Sequence, residues 1–171
     1  MFKKLDELKK KKIYTIVAVI LLAAMYLIIF KFSSENAEES SGISRRIAGF
    51  IYKIYYQVMG ISGSGEAIGE VILQVSPLEA FIRKLAHFTE YLCVGLLSYR
   101  IVSMWYRSKW KGRMIVLLQV FLSGALDEIH QYFVPGRYAS FKDVLLDTAG
   151  GVTGIILLSV WLDVRKKIRD N

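Results

Sequence analysis

Four apolar stretches alternate with charged segments along the chain. They cover residues 13–30, 85–105, 114–133 and 144–162. The first has 18 residues without a charge, so a helix rising ~1.5 Å per residue would be ~27 Å long, enough for the hydrocarbon core of a bilayer. The pattern predicts an all-α, polytopic membrane protein with four transmembrane helices. A cleaved signal peptide fits the first stretch less well, because the stretch is long for an h-region and no A-x-A site follows it.

Apolar residues also recur at helical spacing between the first two spans. The recurring positions are Ile43, Ile47, Phe50, Ile54 and Val58. This period, with basic residues on the other faces, is typical of an amphipathic helix lying on a membrane surface. Residues 60–65 predict a Gly/Ser break, and residues 66–75 predict a short apolar helix. Ser76, Pro77 and Glu79 match a capping box and predict that the next long helix begins there.

Composition agrees with a membrane protein and excludes several other classes. The 171 residues are 54% hydrophobic and 22% charged, with a net charge of +8. This apolar content excludes intrinsic disorder. The single cysteine, Cys93, excludes a disulfide scaffold and a zinc site built mainly on thiolates. We interpret Cys93 as a small packing residue.

Basic residues concentrate in alternate segments. Residues 1–12 hold six lysines, residues 100–113 hold five Lys and Arg, and the tail 163–171 holds four. Because basic loops stay in the cytoplasm, we expect both termini to be cytoplasmic and the helical segment 31–80 to lie outside. Residues 81–162 should form a three-helix unit. No nucleic-acid-binding motif accompanies the basic loops, so they are explained by topology and contact with membrane lipids, and nucleic acid is not an expected partner.

Ionisable and amide side chains lie near the outer ends of the last three spans. They are His87 and Glu90 in the second span, Asp127, Glu128, His130 and Gln131 in the third, and Asp143 and Asp147 at the start of the fourth. A charged group costs ~2.5–3.5 kcal/mol at the centre of a membrane helix on insertion scales, so such groups favour a functional site. Their shared depth and shared helix faces predict one polar pocket in the outer leaflet.

Two local patterns shape the predicted pocket. Asp147 shares a helix face with Gly150 and Gly154, and this G-x-x-x-G spacing permits close helix approach. Asp147 should therefore face a neighbouring helix. The Pro-Gly turn between the third and fourth spans should fold Arg137 and Lys142 over the pocket.

The pocket chemistry has three open interpretations. For general acid–base catalysis, the candidate residues are His87, Glu90, Asp127 and His130. The same four side chains are the candidate ligands of a divalent metal cofactor, although no H-E-x-x-H pattern is present. In the third interpretation the charges form only an interhelical network that assembles the bundle. The candidate substrate-binding residues are Arg83, Lys84, Tyr91, Glu128, Gln131, Arg137, Lys142, Asp143 and Asp147.

Four ordered motifs resemble the VanZ-like family of bacterial integral membrane proteins, and they lie within residues 32–154. The motifs are Phe32-Ser33-Ser34, Arg83-Lys84-Leu85-Ala86-His87-Phe88-Thr89-Glu90-Tyr91, Asp127-Glu128-Ile129-His130-Gln131-Tyr132-Phe133-Val134-Pro135-Gly136-Arg137 and Asp143-Val144-Leu145-Leu146-Asp147-Thr148-Ala149-Gly150. The chain departs from the family pattern at Glu35, where Gln is frequent, and at Asp147, where Asn is common.

The resemblance implies a cell-envelope role in the bacterial cytoplasmic membrane. The family is named for a protein linked to low-level resistance to teicoplanin, a glycopeptide that acts at the outer face of the membrane. Together with the pocket, it favours recognition of an anionic lipid or glycolipid headgroup. The expected partners are membrane lipids, a lipid-linked envelope precursor or a glycopeptide. A membrane-embedded hydrolase or transferase is the alternative, and a structural network or transporter ranks third.

Overall fold

The computed structural model describes residues 2–60, 77–106 and 108–170, and these residues form five α-helices and no strand. The helices are α1 (Phe2–Ser33), α2 (Ala37–Val58), α3 (Pro77–Trp105), α4 (Lys109–Tyr132) and α5 (Phe141–Asp170). The all-α fold class is confirmed, and each predicted span lies within one of α1, α3, α4 and α5, except that the third extends one residue past the end of α4. The predicted break beyond Gly60, the short helix at 66–75 and Ser76 lie outside the described residues.

Helix α3 lies at the centre of the bundle and contacts the other four helices, most extensively α5. Its residues Tyr91, Val94 and Tyr99 are buried in a core shared with α1, α4 and α5. The remaining core residues are Ile29, Val116, Val120, Ile155 and Leu158. Any polar side chain on the inner face of α3 therefore lies next to the inner faces of α4 and α5.

Glycines bring the backbones of α3 and α5 into direct contact. A Cβ atom added to Gly150 would clash with the carbonyl oxygen of Phe88, and one added to Gly154 would clash with that of Leu92. A Cβ on Gly95 of α3 would clash with the backbone of α5 in the same way. The close approach predicted from the G-x-x-x-G spacing is confirmed, because only glycine leaves room for the opposing carbonyls.

Two helices are long and apolar enough to cross a membrane. They are the Leu5–Ser33 part of α1 and α5, with mean hydropathies of 2.7 and 1.7. Only 11% of the α1 stretch and 44% of the α5 stretch is buried, so most of their apolar surface faces away from the protein. Helices α3 and α4 have 29 and 24 residues, but polar side chains interrupt their apolar runs. By length and composition, the described residues thus contain two candidate membrane spans, and the four predicted spans are not clearly shown.

Helix α2 is amphipathic, as its period predicts. It begins with a capping box in which the Asn36 side chain accepts a hydrogen bond from the backbone N–H of Glu39 at 2.9 Å. Its small residues Ser44 and Ala48 are buried against the bundle, whereas the predicted apolar stripe is exposed. The carboxylate of Glu79, two residues into α3, pairs with Arg45 of α2 at 3.5 Å. Helix α3 begins at Pro77 as predicted.

Polar contacts fasten the opposite end of the bundle, where α3 ends and α4 begins. The indole N–H of Trp105 donates to the Thr15 hydroxyl at 3.0 Å, and the Lys11 ammonium lies 4.2 Å from the centre of the Trp105 ring. Lys109 hydrogen-bonds Asp163 of α5, and this bond lowers the pKa of the exposed Asp163 carboxyl. At this end, α1 is therefore held to α3 and α4 to α5 independently of the glycine contact.

The glycine contact makes a specific prediction about stability. Gly154→Ala should lower the free energy of unfolding by about 1–3 kcal/mol, because the added methyl group overpacks a backbone contact that cannot yield. The matched control is Gly42→Ala on α2, where an added Cβ has no neighbour within 4 Å. The control should be neutral or slightly stabilising, since Ala favours the helix. Thermal unfolding in detergent measures both, and equal midpoints would show that the contact is not tight.

Candidate functional site

A small polar cavity opens at the end of the bundle where α1 ends and α3 begins. Its volume is about 100 Å³, room for roughly three water molecules by their share of liquid volume. The lining residues are Ala37, Ser40, Arg83, Lys84, His87, Glu128, Gln131, Gly136, Arg137, Tyr138, Asp143 and Leu146. We call this cavity the polar pocket. Its size suits a phosphate or carboxylate group rather than a whole lipid.

Beneath the polar pocket, one side chain from each of α3, α4 and α5 converge. They are His87, Asp127 and Asp147, and one nitrogen or oxygen atom of each lies within 4.8 Å of the others. The Nδ1 atom of His87 is 3.8 Å from Oδ1 of Asp147. The predicted convergence of His87 with Asp127 is thus confirmed, and Asp147 faces a neighbouring helix as predicted. We call these three residues the His-Asp cluster.

The two carboxylates of the His-Asp cluster differ in their hydrogen bonding. Asp127 accepts a 2.8 Å hydrogen bond from the side-chain amide of Gln131, one turn along α4. Asp147 is only 1% exposed, and neither of its carboxylate oxygens has a hydrogen-bond partner among the described residues. Gly124 of α4 makes room for it, since a Cβ there would lie 3.3 Å from the Asp147 Cβ. The tight packing fixes Asp147 in place without satisfying its polar atoms.

At the rim of the polar pocket the acidic groups already have partners. Asp143 pairs with Lys84 at 3.5 Å, and the carboxylate of Glu128 accepts a hydrogen bond from the backbone N–H of Ser140 at 2.6 Å. Within the described part of the chain, Arg83 has no such partner. The rim therefore presents uncompensated positive charge.

Arg137 connects the pocket wall to the end of α1. It follows Gly136, whose φ of 76° lies in the left-handed region that glycine accepts readily. One guanidinium nitrogen, Nη1, donates to the carbonyl oxygens of Phe32 and Ser33 at 3.0 Å and of Glu35 at 3.3 Å. Burial lowers the pKa of Arg137, while the nearby Asp127 carboxylate opposes this. Arg137 thus caps the C-terminus of α1 through Nη1, and its other nitrogens have no hydrogen-bond partner within the described residues.

The four predicted catalytic residues do not share one cavity. His130 turns toward α1, where its Nε2 atom hydrogen-bonds the Ser34 hydroxyl at 3.1 Å and its ring stacks on Phe30 at 4.8 Å between centroids. Glu90 lines a neighbouring groove that faces α1 and α2 and shares His87 with the polar pocket. Only His87 and Asp127 of the predicted set belong to the His-Asp cluster, and Asp147 completes it.

Three predicted substrate-binding residues are not among the lining residues, and one of them is Asp147 of the His-Asp cluster. Tyr91 belongs to the hydrophobic core and is 1% exposed. Lys142 is exposed and is not among the lining residues. The remaining candidates, Arg83, Lys84, Glu128, Gln131, Arg137 and Asp143, all line the polar pocket.

One polar network was not predicted from the sequence. The hydroxyls of Tyr26 and Ser123 lie 2.8 Å apart, and the side-chain amide of Gln119 donates to the Tyr26 hydroxyl. This network joins α1 to α4 below the pocket. A signal was present, because Gln119 and Ser123 lie one turn apart on α4, but nothing in the sequence placed Tyr26 opposite them.

A family model described as VanZ/LLP1 matches residues 17–162, which is most of the chain. The chain belongs to the VanZ/LLP1 family. At the level of the family, this supports a cell-envelope protein associated with glycopeptide resistance. Membership and the two apolar helices together indicate a membrane protein. Among curated proteins and solved structures, none matches this chain.

The four motifs that carry the VanZ-like resemblance meet at this site. Arg137, at the end of the third motif, binds the backbone of the Phe32-Ser33-Ser34 motif. His87 of the second motif faces Asp147 of the fourth. Residues far apart in sequence are therefore held together around the polar pocket and the His-Asp cluster.

The bonds of Arg137 predict a loss of stability when the guanidinium is removed. Arg137→Ala should lower the free energy of unfolding by about 1.5–3 kcal/mol, the usual contribution of hydrogen bonds to a charged group. Hydrogen exchange should become faster at residues 33–36, because the capped carbonyls lose their donor. Lys142→Ala removes an exposed positive charge five residues away and should change neither quantity. Unchanged exchange in Arg137→Ala would contradict the capping role.

Proposed function

We propose that the chain is a multi-pass protein of the bacterial cytoplasmic membrane, with four spans and both termini in the cytoplasm. The concentration of lysine and arginine in residues 1–12, 100–113 and 163–171 supports this orientation. An exposed apolar face on α4 supports its assignment as a span. That face consists of Leu118, Leu122, Leu126 and Ile129. In this orientation the polar pocket opens toward the outer leaflet.

We further propose that the polar pocket recognises the phosphate of an anionic lipid or glycolipid headgroup. The observation that carries this proposal is the uncompensated charge at the rim, where Arg83 has no ion-pair partner in the described residues and Arg137 keeps donors free. A guanidinium binds phosphate through two parallel hydrogen bonds, which a point charge cannot reproduce. The cavity volume of about 100 Å³ suits the phosphate group, with the rest of the molecule outside.

Helix α2 supplies a surface on which such a lipid would lie. Ala37 and Ser40, in its first turns, line the polar pocket. Farther along the helix, Ile47 is 45% exposed and Phe50 is 64% exposed. An exposed apolar stripe of this kind favours a helix in the plane of the membrane interface. Acyl chains could pack beneath α2 while the headgroup phosphate enters the pocket.

A second function, hydrolysis or group transfer on an envelope lipid, is favoured by the His-Asp cluster directly beneath the polar pocket. His87 lines the pocket and faces Asp147, an arrangement that could hold or move a proton next to a bound phosphate. Incubation with phosphate-labelled lipid discriminates the two functions. Time-dependent product formation that His87→Asn abolishes would favour the enzyme, and binding without turnover would favour recognition.

Cysteine labelling tests the proposed topology. In a Cys93→Ala background, Lys53→Cys on the exposed face of α2 should react with an impermeant maleimide in intact cells. Ser108→Cys, in the exposed loop between α3 and α4, should react only after permeabilisation. The reverse pattern would place the polar pocket in the cytoplasm and contradict recognition of an outer-leaflet lipid.

Lipid titration tests the phosphate site. Arg83→Gln should weaken binding of phosphatidylglycerol by about 10–100-fold, the range expected when a charge-assisted hydrogen bond is lost, and Arg83→Lys should recover only part of it. The measurement is the lipid-dependent rise in the thermal unfolding midpoint of the purified protein. An inorganic phosphate arm distinguishes a lipid headgroup from free phosphate as the source of the ligand.

The matched control is Arg46→Gln, which removes an exposed arginine from α2. It should leave the lipid effect unchanged, because Arg46 lies outside the polar pocket. If Arg83→Gln and Arg46→Gln weaken binding equally, the lipid responds to overall charge, and the specific site is wrong.

A further inference from the structure

The His-Asp cluster has the composition of a metal site. An imidazole nitrogen and two carboxylate oxygens come from three different helices and lie within 4.8 Å of one another. Asp127 is 8% exposed and Asp147 is 1% exposed, and the His87 side chain is 17% exposed. Exposed acidic groups often lie together without function, but buried ones seldom do, because the cost of desolvating them must be offset.

The unpartnered carboxylate of Asp147 is an independent indication of a ligand. Both of its oxygens are buried and accept no hydrogen bond from the part of the chain that the structure describes. The nearest cationic group is His87, whose Nδ1 atom is 3.8 Å away, too far for a hydrogen bond. A protonated Asp147 would still need an acceptor for its proton. Because buried polar groups are almost always satisfied, this side chain requires a partner that the described residues do not provide.

Charge balance identifies the sign of that partner. Asp127 and Asp147 carry up to two negative charges below the rim, and of the three arginine and lysine residues at the rim only Arg83 lacks another contact among the described residues. Lys84 pairs with Asp143, and Arg137 binds the backbone of α1. A single divalent cation would neutralise the two buried carboxylates.

We propose that His87, Asp127 and Asp147 bind one divalent transition-metal cation, with Zn²⁺ as the best match. Zn²⁺ accepts imidazole nitrogen and carboxylate oxygen at ~2.0–2.2 Å, whereas Mg²⁺ and Ca²⁺ prefer oxygen alone. Two ligand atoms of a tetrahedral zinc ion lie ~3.3–3.6 Å apart on these bond lengths. The cluster atoms, which lie within 4.8 Å of one another, would therefore have to approach by up to about 1.3 Å on the same bond lengths, through rotation of the His87 side chain and the two carboxylates.

Neighbouring groups complete the arrangement. Gln131 donates to Asp127 and orients it, as residues around metal ligands commonly do. With three protein ligands the fourth tetrahedral position is open, as in zinc sites that bind water or substrate. Both His87 and Gln131 line the polar pocket, so this position faces the cavity proposed for phosphate. The metal site is nevertheless independent of lipid recognition.

Zinc titration of the purified full chain in detergent, freed of metal by EDTA, tests this proposal. Isothermal calorimetry should give one Zn²⁺ per chain, and Zn²⁺ should raise the thermal unfolding midpoint. Asp127→Asn and Asp147→Asn keep the side-chain shape and should each weaken Zn²⁺ binding at least tenfold. Asp163→Asn is the matched control, since this carboxylate lies at the opposite end of the bundle, where it pairs with Lys109, and it should bind Zn²⁺ as the wild type does.

Two further variants keep the test decisive. If Asp147→Asn does not fold, as judged by circular dichroism, Asp127→Asn and Gln131→Leu carry the comparison, and Gln131→Leu should weaken binding about 10–100-fold. Arg83→Gln should bind Zn²⁺ normally even if it loses lipid, which separates the two proposals. Absence of Zn²⁺ binding to the wild type, full affinity in the folded Asp variants, or tighter binding of Mg²⁺ than of Zn²⁺ would each overturn the metal site.

Discussion

The backbone contact between α3 and α5 is the constraint on which the rest of the structure depends. Gly95 on one helix and Gly150 and Gly154 on the other let the carbonyls of each lie against the partner helix. The short distance between α3 and α5 also brings His87 of α3 opposite Asp147, which lies three residues before Gly150 on α5. With larger residues the helices would separate, and neither the buried carboxylate nor the floor of the polar pocket would exist in this form.

Arg137 imposes a second constraint, because it joins segments more than a hundred residues apart in sequence. Its contacts with the carbonyls of Phe32, Ser33 and Glu35 fasten the end of α1 to the loop between α4 and α5. Three residues later, the N–H of Ser140 binds Glu128 and fixes the start of α5. The short loop between α4 and α5 thereby sets the positions of α1, α4 and α5 around the polar pocket. This explains how a small bundle keeps a cavity open at its end.

The elements of this fold follow from local pattern, whereas the details of the site depend on contacts between distant segments. Apolar runs and the period of Ile43 to Val58 predict the helices, and the spacing of Asp147, Gly150 and Gly154 predicts the face that α5 buries. By contrast, His130 shares a broad polar arc with Asp127 on α4, and only the position of α1 decides that it meets Ser34 instead. Tyr91 lies on the same stripe as His87, yet the bundle closes over it and makes it core. Helical periodicity predicts which side chains share a helix face only to within roughly one residue. The composition of a site depends on smaller differences in side-chain direction.

The distribution of satisfied and unsatisfied charges separates a structural network from a binding site. A network that serves only assembly should pair its buried groups, since an unpaired one costs more than it contributes. The rim follows this rule: Lys84 binds Asp143 and Glu128 binds a backbone N–H. The floor does not, because Asp147, the most deeply buried carboxylate of the described residues, has no hydrogen-bond partner among them while rigid glycine packing holds it in place. A buried carboxylate that is held in place without a hydrogen bond lowers stability, and such an arrangement is typical of a ligand site. The structural interpretation therefore accounts for the rim but not for the floor.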